Sequence, residues 1–138
     1  MVKVMAFGTF DLLHKGHIHF LKRASSFGDL VVVVARDKTV KEVKGSFPIE
    51  SEVERFNNVK KLGFVSKAIL GNLGDKYKVI EDEKPDIICL GYDQVAFTQN
   101  LEEKIKKLGL SVKIIRLEPY KPDIYKSSFL KSASYRKT

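Results

Sequence analysis

The segment Gly8-Thr9-Phe10-Asp11-Leu12-Leu13-His14-Lys15-Gly16-His17 gathers groups suited to holding an anion. His14 and His17 are three residues apart, a spacing that puts both on one face of a helical turn. Gly16 removes a side chain between them and leaves room for a bulky group. Gly8 lets the chain turn tightly and come close to a ligand, and Thr9 and Phe10 offer backbone N–H groups there. A helix starting near Gly16 would aim its N-terminus, which favours negative charge, at the same spot. Imidazoles, amides and a helix N-terminus pointing one way form a cradle for a phosphate.

Two other readings of these histidines remain open. His14, His17 and His19 could ligate a metal, but His19 falls on a different side of a helix and no nearby carboxylate completes the set. No residue is therefore assigned as a metal ligand. The segment could also be a helix cap with incidental imidazoles. Other phosphate loops do not fit. The chain has neither a G-x-x-x-x-G-K-S/T loop nor a G-x-G-x-x-G after its first strand.

The surrounding pattern alternates strand and helix. Val2–Phe7 is an apolar, partly β-branched run and predicts the first strand. His17–Phe27 carries apolar residues at helical spacing, and Gly28 is expected to end that helix. Leu30–Ala35 suits a strand buried on both faces. Arg36–Pro48 is polar, lysine-rich and read as a connection. Ser51-Glu52-Val53-Glu54 has capping-box form and opens a helix running to about Leu62. Beyond it come strand Lys67–Leu70, helix Lys76–Asp82, strand Asp86–Leu90, helix Leu101–Leu108, strand Ser111–Arg116 and a last helix, Ser127–Tyr135. Five strands alternating with helices predict one doubly wound α/β domain over residues 1–138, Rossmann-like, with a mostly parallel sheet.

Composition narrows the setting. The charge is +8, from 25 basic and 17 acidic residues, which favours anionic partners. The lysines are spread along the chain and do not interleave with aromatics, so no nucleic-acid platform is expected. No apolar run approaches the ~20 residues of a membrane span, and no leader pattern opens the chain. A cytoplasmic location is expected. Cys89, the single cysteine, reads as a small buried hydrophobe, with a reactive thiol as the lesser alternative.

Gly8–His17 resembles the GTFDxxHxGH signature of the cytidylyltransferase-like nucleotidyltransferase superfamily, which includes glycerol-3-phosphate cytidylyltransferase, pantetheine-phosphate adenylyltransferase and archaeal-type FAD synthase. Val34-Ala35-Arg36-Asp37 is similar to the family's acceptor-side segment, Lys44 to its phosphate-binding lysine, and Glu52-Val53-Glu54-Arg55 to its E-x-x-R helix. For that helix, plain surface charge is an equal reading. Gly91-Tyr92-Asp93-Gln94 is similar to its nucleotide-side G-x-D-x motif. The R-T-x-G-I-S-T-T motif of the cytidylyltransferase branch is missing, and only the hydroxyl pair Ser127-Ser128 stands in its place. The whole pattern is most similar to the archaeal FAD synthase branch.

The resemblance implies a sheet of order 3-2-1-4-5, with Gly8–His17 and Gly91–Gln94 flanking one crevice. It also implies transfer of AMP from ATP to a phosphorylated acceptor, FMN first, giving FAD and pyrophosphate. His14, His17 and Lys44 would be catalytic. Gly8, Thr9, Phe10, Gly91, Asp93, Ser127 and Ser128, with both histidines, would bind the nucleotide. Asp11, Arg36, Lys44 and Arg55 would face the acceptor. For Asp11, orienting the loop, neighbouring a metal and a purely structural role are all open. Mg²⁺ would be held mainly by substrate phosphates, and the family commonly forms homodimers. Glycerol-3-phosphate cytidylyltransferase is the rival within the class, and a non-catalytic nucleotide-binding domain the rival outside it.

Overall fold

Alternating apolar residues in the central strands decide the layers. In the computed structural model, which describes residues 1–91, 94 and 100–119, β1 (Lys3–Gly8) and β2 (Asp29–Val34) are almost wholly buried. Val4, Ala6, Leu30, Val32 and Val34 turn to one face, against Leu21 and Ala24 of α1 (Lys15–Ser25) and Val59 of α3 (Glu52–Lys60). Met5, Phe7, Val31 and Val33 turn to the other. There they meet Val79 and Ile80 of α4 (Lys78–Glu83) and Leu101 and Ile105 of α5 (Leu101–Lys107). A strand covered on both faces must be apolar throughout, hence the Leu-Val-Val-Val-Val run.

With β3 (Lys67–Leu70), β4 (Ile87–Gly91) and β5 (Lys113–Leu117), the sheet has the order β3-β2-β1-β4-β5, and every pairing is parallel. This is the expected Rossmann-like order. The winding reverses between β1 and β4, so the carboxyl ends of those strands open the crevice where ligands settle in such sheets.

The segment 36–48 corrects one expectation. It is not a plain connection, because α2 (Asp37–Lys44) forms inside it. It is short, with two valines three residues apart among lysines, and only Val40 is buried. Its first amide is held from outside, by Glu52 Oε1 accepting from Asp37 N at 2.8 Å. Gly28 is a second correction. Helix α1 is capped at Ser26, and glycine is needed at 28 because a β-carbon there would collide with the Val2 carbonyl. The capping box at Ser51 forms as read, with Ser51 Oγ and the Glu54 carboxylate each accepting from the other's backbone amide. The expected last helix, Ser127–Tyr135, lies outside the described residues.

Cys89 is fully buried in the α1/α3 layer, and burial pushes its thiol up to about 11. It is a packed thiol, as the apolar surroundings suggested.

Candidate active site

Strand β1 delivers Gly8 to the crevice, and the chain then makes a tight passage before α1. Phe10 and Leu12 both take left-handed backbone angles, φ 55° and 53°, which side chains other than glycine rarely adopt. Two devices hold them there. The Phe10 ring is buried in the space left by Gly8, where a β-carbon would sit 2.6 Å from a ring carbon. Glu50 Oε1 accepts from Leu12 N at 2.8 Å. The missing side chain at Gly8 thus accommodates Phe10, where close approach of a ligand had been expected.

His14 is the N-cap of α1. Its Nδ1 accepts from Gly16 N at 3.0 Å, and His17 Nδ1 accepts in turn from His14 N at 3.3 Å. The rings stack with centroids 3.8 Å apart, and Phe10 meets the edge of His17 at 5.6 Å. Gly16 is needed because a β-carbon would come within 2.9 Å of His14 Cε1. The room it provides is filled by the His14 ring, a correction to the expectation that it served the ligand directly.

This geometry joins the cap and the cradle, which the sequence offered as separate readings. A nitrogen that accepts from an amide carries no proton, so Nδ1 does the capping and Nε2 is left as each ring's donor. Among the described residues no protein group takes up either Nε2. Burial, then the charges of His14 and Lys44, lower the His17 pKa to about 4 against an opposing pull from Asp11. His17 is therefore neutral near pH 7 and donates through Nε2. Lys44, at the exposed end of α2, is close enough for its charge to act on that ring.

The acceptor-side residues divide. Arg36, a third exposed, donates from Nε to the Gly71 carbonyl and from Nη1 to Glu52. Arg55 is a correction, because it is completely buried and is not available to a ligand. Its guanidinium donates to the carbonyls of Glu50, Thr9 and Ala35 and to Asp37 Oδ1 at 2.6 Å. A guanidinium can be buried here because carbonyls and a carboxylate satisfy its fork. Asp11 spends both oxygens on the amides of Ile49 and Glu50, so it takes the loop-organising role among those left open.

Sequence reasoning missed three contributors. Glu50 bonds Leu12 N and the Asn58 amide, and Glu52 joins Arg36 to the start of α2. Gln94 bridges Gly91 N and the Phe7 carbonyl, which ties the end of β4 to the end of β1. Position 94 lay inside the G-x-D-x segment and Glu52 inside the E-x-x-R segment, so those signals were present; Glu50 carried none beyond its charge. Gly91 is at the crevice, its carbonyl held by Arg116 at 2.7 Å. Asp93, Ser127 and Ser128 lie outside the described residues. A depression of about 250 Å³ between β3 and α4 is lined by Arg36, Gly71 and Glu83 among others and by none of the cradle residues.

Among the described residues no group of three or more histidines, cysteines and carboxylates could hold a metal, and no helix is long and apolar enough to cross a membrane.

Comparison with known proteins agrees with this geometry. Residues 5–136 match the family described as cytidylyltransferase-like. An FAD synthase from Thermoplasma volcanium is 49% identical over 93% of this chain and 90% of its own length. Another from Aciduliprofundum boonei is 49% identical over 87% and 80%. A crystal structure from Thermoplasma volcanium, described as a lipopolysaccharide core biosynthesis protein, superposes with a TM-score of 0.82 at 50% identity, covering 87% of this chain and 98% of that one. The chain belongs to the cytidylyltransferase-like family.

Proposed function

We propose that this chain is a nucleotidyltransferase that moves AMP from ATP onto FMN, giving FAD and releasing pyrophosphate. The observation that carries the reading is the stacked His14–His17 pair, whose mutual capping leaves two Nε2–H donors at the switch-point crevice. The relatives bearing the name FAD synthase supply the acceptor.

An oxygen of the FMN phosphate attacks the α-phosphorus in line. The bond from that phosphorus to the oxygen bridging the β-phosphate breaks, and pyrophosphate carries the electron pair away. The protein forms no covalent bond. It positions the reactants and neutralises charge that builds on the α-phosphoryl oxygens. His14 and His17 donate from Nε2 to those oxygens. Neutral imidazoles suit the task, because their orientation depends on Nδ1 remaining an acceptor. Lys44 holds a phosphate oxygen as a point charge, and Arg36 faces the acceptor with its remaining N–H groups. Gly91, with Asp93, Ser127 and Ser128, belongs to the nucleotide side.

Mg²⁺ would be brought by the triphosphate and would supply charge neutralisation at its phosphate oxygens. Asp11, the acid whose charge reaches His17, already accepts two amides, so the donor set fits a cation carried by substrate phosphates better than a protein cage. The test is FAD formation from FMN and ATP, run beside CTP with glycerol 3-phosphate. FAD and pyrophosphate are expected. CDP-glycerol without FAD would refute acceptor and base together, and no turnover with either pair would favour a non-catalytic nucleotide-binding domain.

A further inference from the structure

Exposed large apolar side chains concentrate in stretches that the fold ties to the cradle. Phe47 is 64% exposed, Ile49 78% and Leu12 50%. Asp11 accepts from the amides of Ile49 and Glu50, and Glu50 accepts from Leu12 N. Two carboxylates are thus committed to pinning the 47–50 segment against the residues just before His14. Lys41 Nζ stands 5.6 Å from the Phe47 centroid and donates to the Gly45 carbonyl, which steadies the segment from α2. Lys44, three residues before Phe47, carries the charge that reaches His17.

The result is a surface with a basic end at the cradle and an apolar, aromatic end beyond it. That polarity matches a ligand with a phosphate at one end and a flat, largely apolar ring system at the other. Glycerol phosphate has no ring to place on Phe47, and a sugar phosphate offers only a small, mostly polar one. A second copy of this chain is the rival occupant, and oligomeric state distinguishes it from a flavin. We propose that Phe47, with Ile49 and Leu12 beside it, is the platform on which the isoalloxazine ring of the acceptor packs. The proposal rests on the FMN reading above and adds the residues that select a flavin over other phosphate esters.

The experiment compares wild type, Phe47→Ala and Phe47→Tyr for the KM of FMN and of ATP, with flavin fluorescence quenching as a binding readout and sedimentation for oligomeric state. Loss of one ring contact should raise the FMN KM about tenfold in Phe47→Ala. The ATP KM should stay within about twofold, because the ring lies outside the nucleotide side. Phe47→Tyr should restore FMN binding and quenching. Wild-type FAD formation with an unchanged FMN KM in Phe47→Ala would overturn the platform alone. So would equal losses for FMN and ATP, or dissociation of an oligomer with FMN binding intact. A wild type that makes no FAD would remove the FMN reading and the platform with it.

Discussion

Two polar clusters meet at the carboxyl ends of β1 and β2, and they use their hydrogen-bonding groups differently. In the first, His14 and His17 satisfy each other's backbone through Nδ1 and keep Nε2 for a ligand. In the second, Arg36 pairs with Glu52 at 3.0 Å and Asp37 pairs with Arg55, a crossed set linking the start of α2 to the start of α3. Both clusters come from segments that resemble family motifs. In the first, each ring leaves a donor uncommitted; in the second, only Arg36, a third exposed, leaves N–H groups for a ligand. Arg55 sits at the middle of the second and binds three backbone carbonyls, one of them on Thr9 inside the cradle loop. Its contribution reaches the chemistry through loop geometry alone.

Removing Arg55 should have the largest effect on folding. Arg55→Ala would leave buried carbonyls and Asp37 without partners, and should destabilise the protein by about 3–5 kcal/mol in denaturant unfolding. Arg55→Lys should recover little, because a point charge cannot serve four acceptors in a fork. A loss below about 1 kcal/mol in Arg55→Ala would place this residue with surface ion pairs and erase the contrast.

Gly16→Ala sharpens the comparison from the other side. The new methyl would press on His14 Cε1 and turn the ring from its place. Turnover should fall about tenfold or more. Stability should change by no more than about 1 kcal/mol, since the helical preference for alanine is offset by loosening of the His14 cap. Equal activity in this variant would mean that the stacked geometry is not needed.

These clusters were unequally legible in the sequence. The sheet was readable because buried parallel strands are unbroken apolar runs, and the Ser51 box because it is local. The histidines stood out by type and spacing. Helix α2 was passed over because its two valines, three apart, are a short signal within a lysine-rich stretch, and Glu52, which holds its first amide, comes fifteen residues after that amide. Arg55 was placed at the acceptor by the likeness of its segment to the family's E-x-x-R helix, with surface charge as the equal reading, and nothing local announces three carbonyls converging on it. The sequence offered a cap at this segment but with the imidazoles incidental to it, as capping is usually the work of Ser, Thr, Asp or Asn.

Smaller effects follow. Arg36 and Glu52 are partly exposed, so a double-mutant cycle on the pair should give about 1 kcal/mol or less, well under Arg55. The His17 titration offers a finer probe. Its folded pKa, about 4, lies below the usual 6.5, so the unfolded chain binds more protons between those values. Stability from this group is complete above pH 6.5 and is lost as pH falls toward 4. Its share should be about 1 kcal/mol once solvent screening is allowed for. In NMR titrations Lys44→Ala should raise the His17 pKa and Asp11→Asn should lower it further, the directions set by their charges. Shifts of opposite sign would separate Lys44 from the cradle.

The central claim is that the Nε2 donors of the histidine pair act on charge in the transition state. The direct measurement is the turnover number for FAD formation by His17→Ala, with its unfolding curve recorded on the same sample. Turnover should drop by ~100-fold or more while the protein remains folded, and His14→Ala should behave alike. Near-normal turnover in folded His17→Ala would contradict the account.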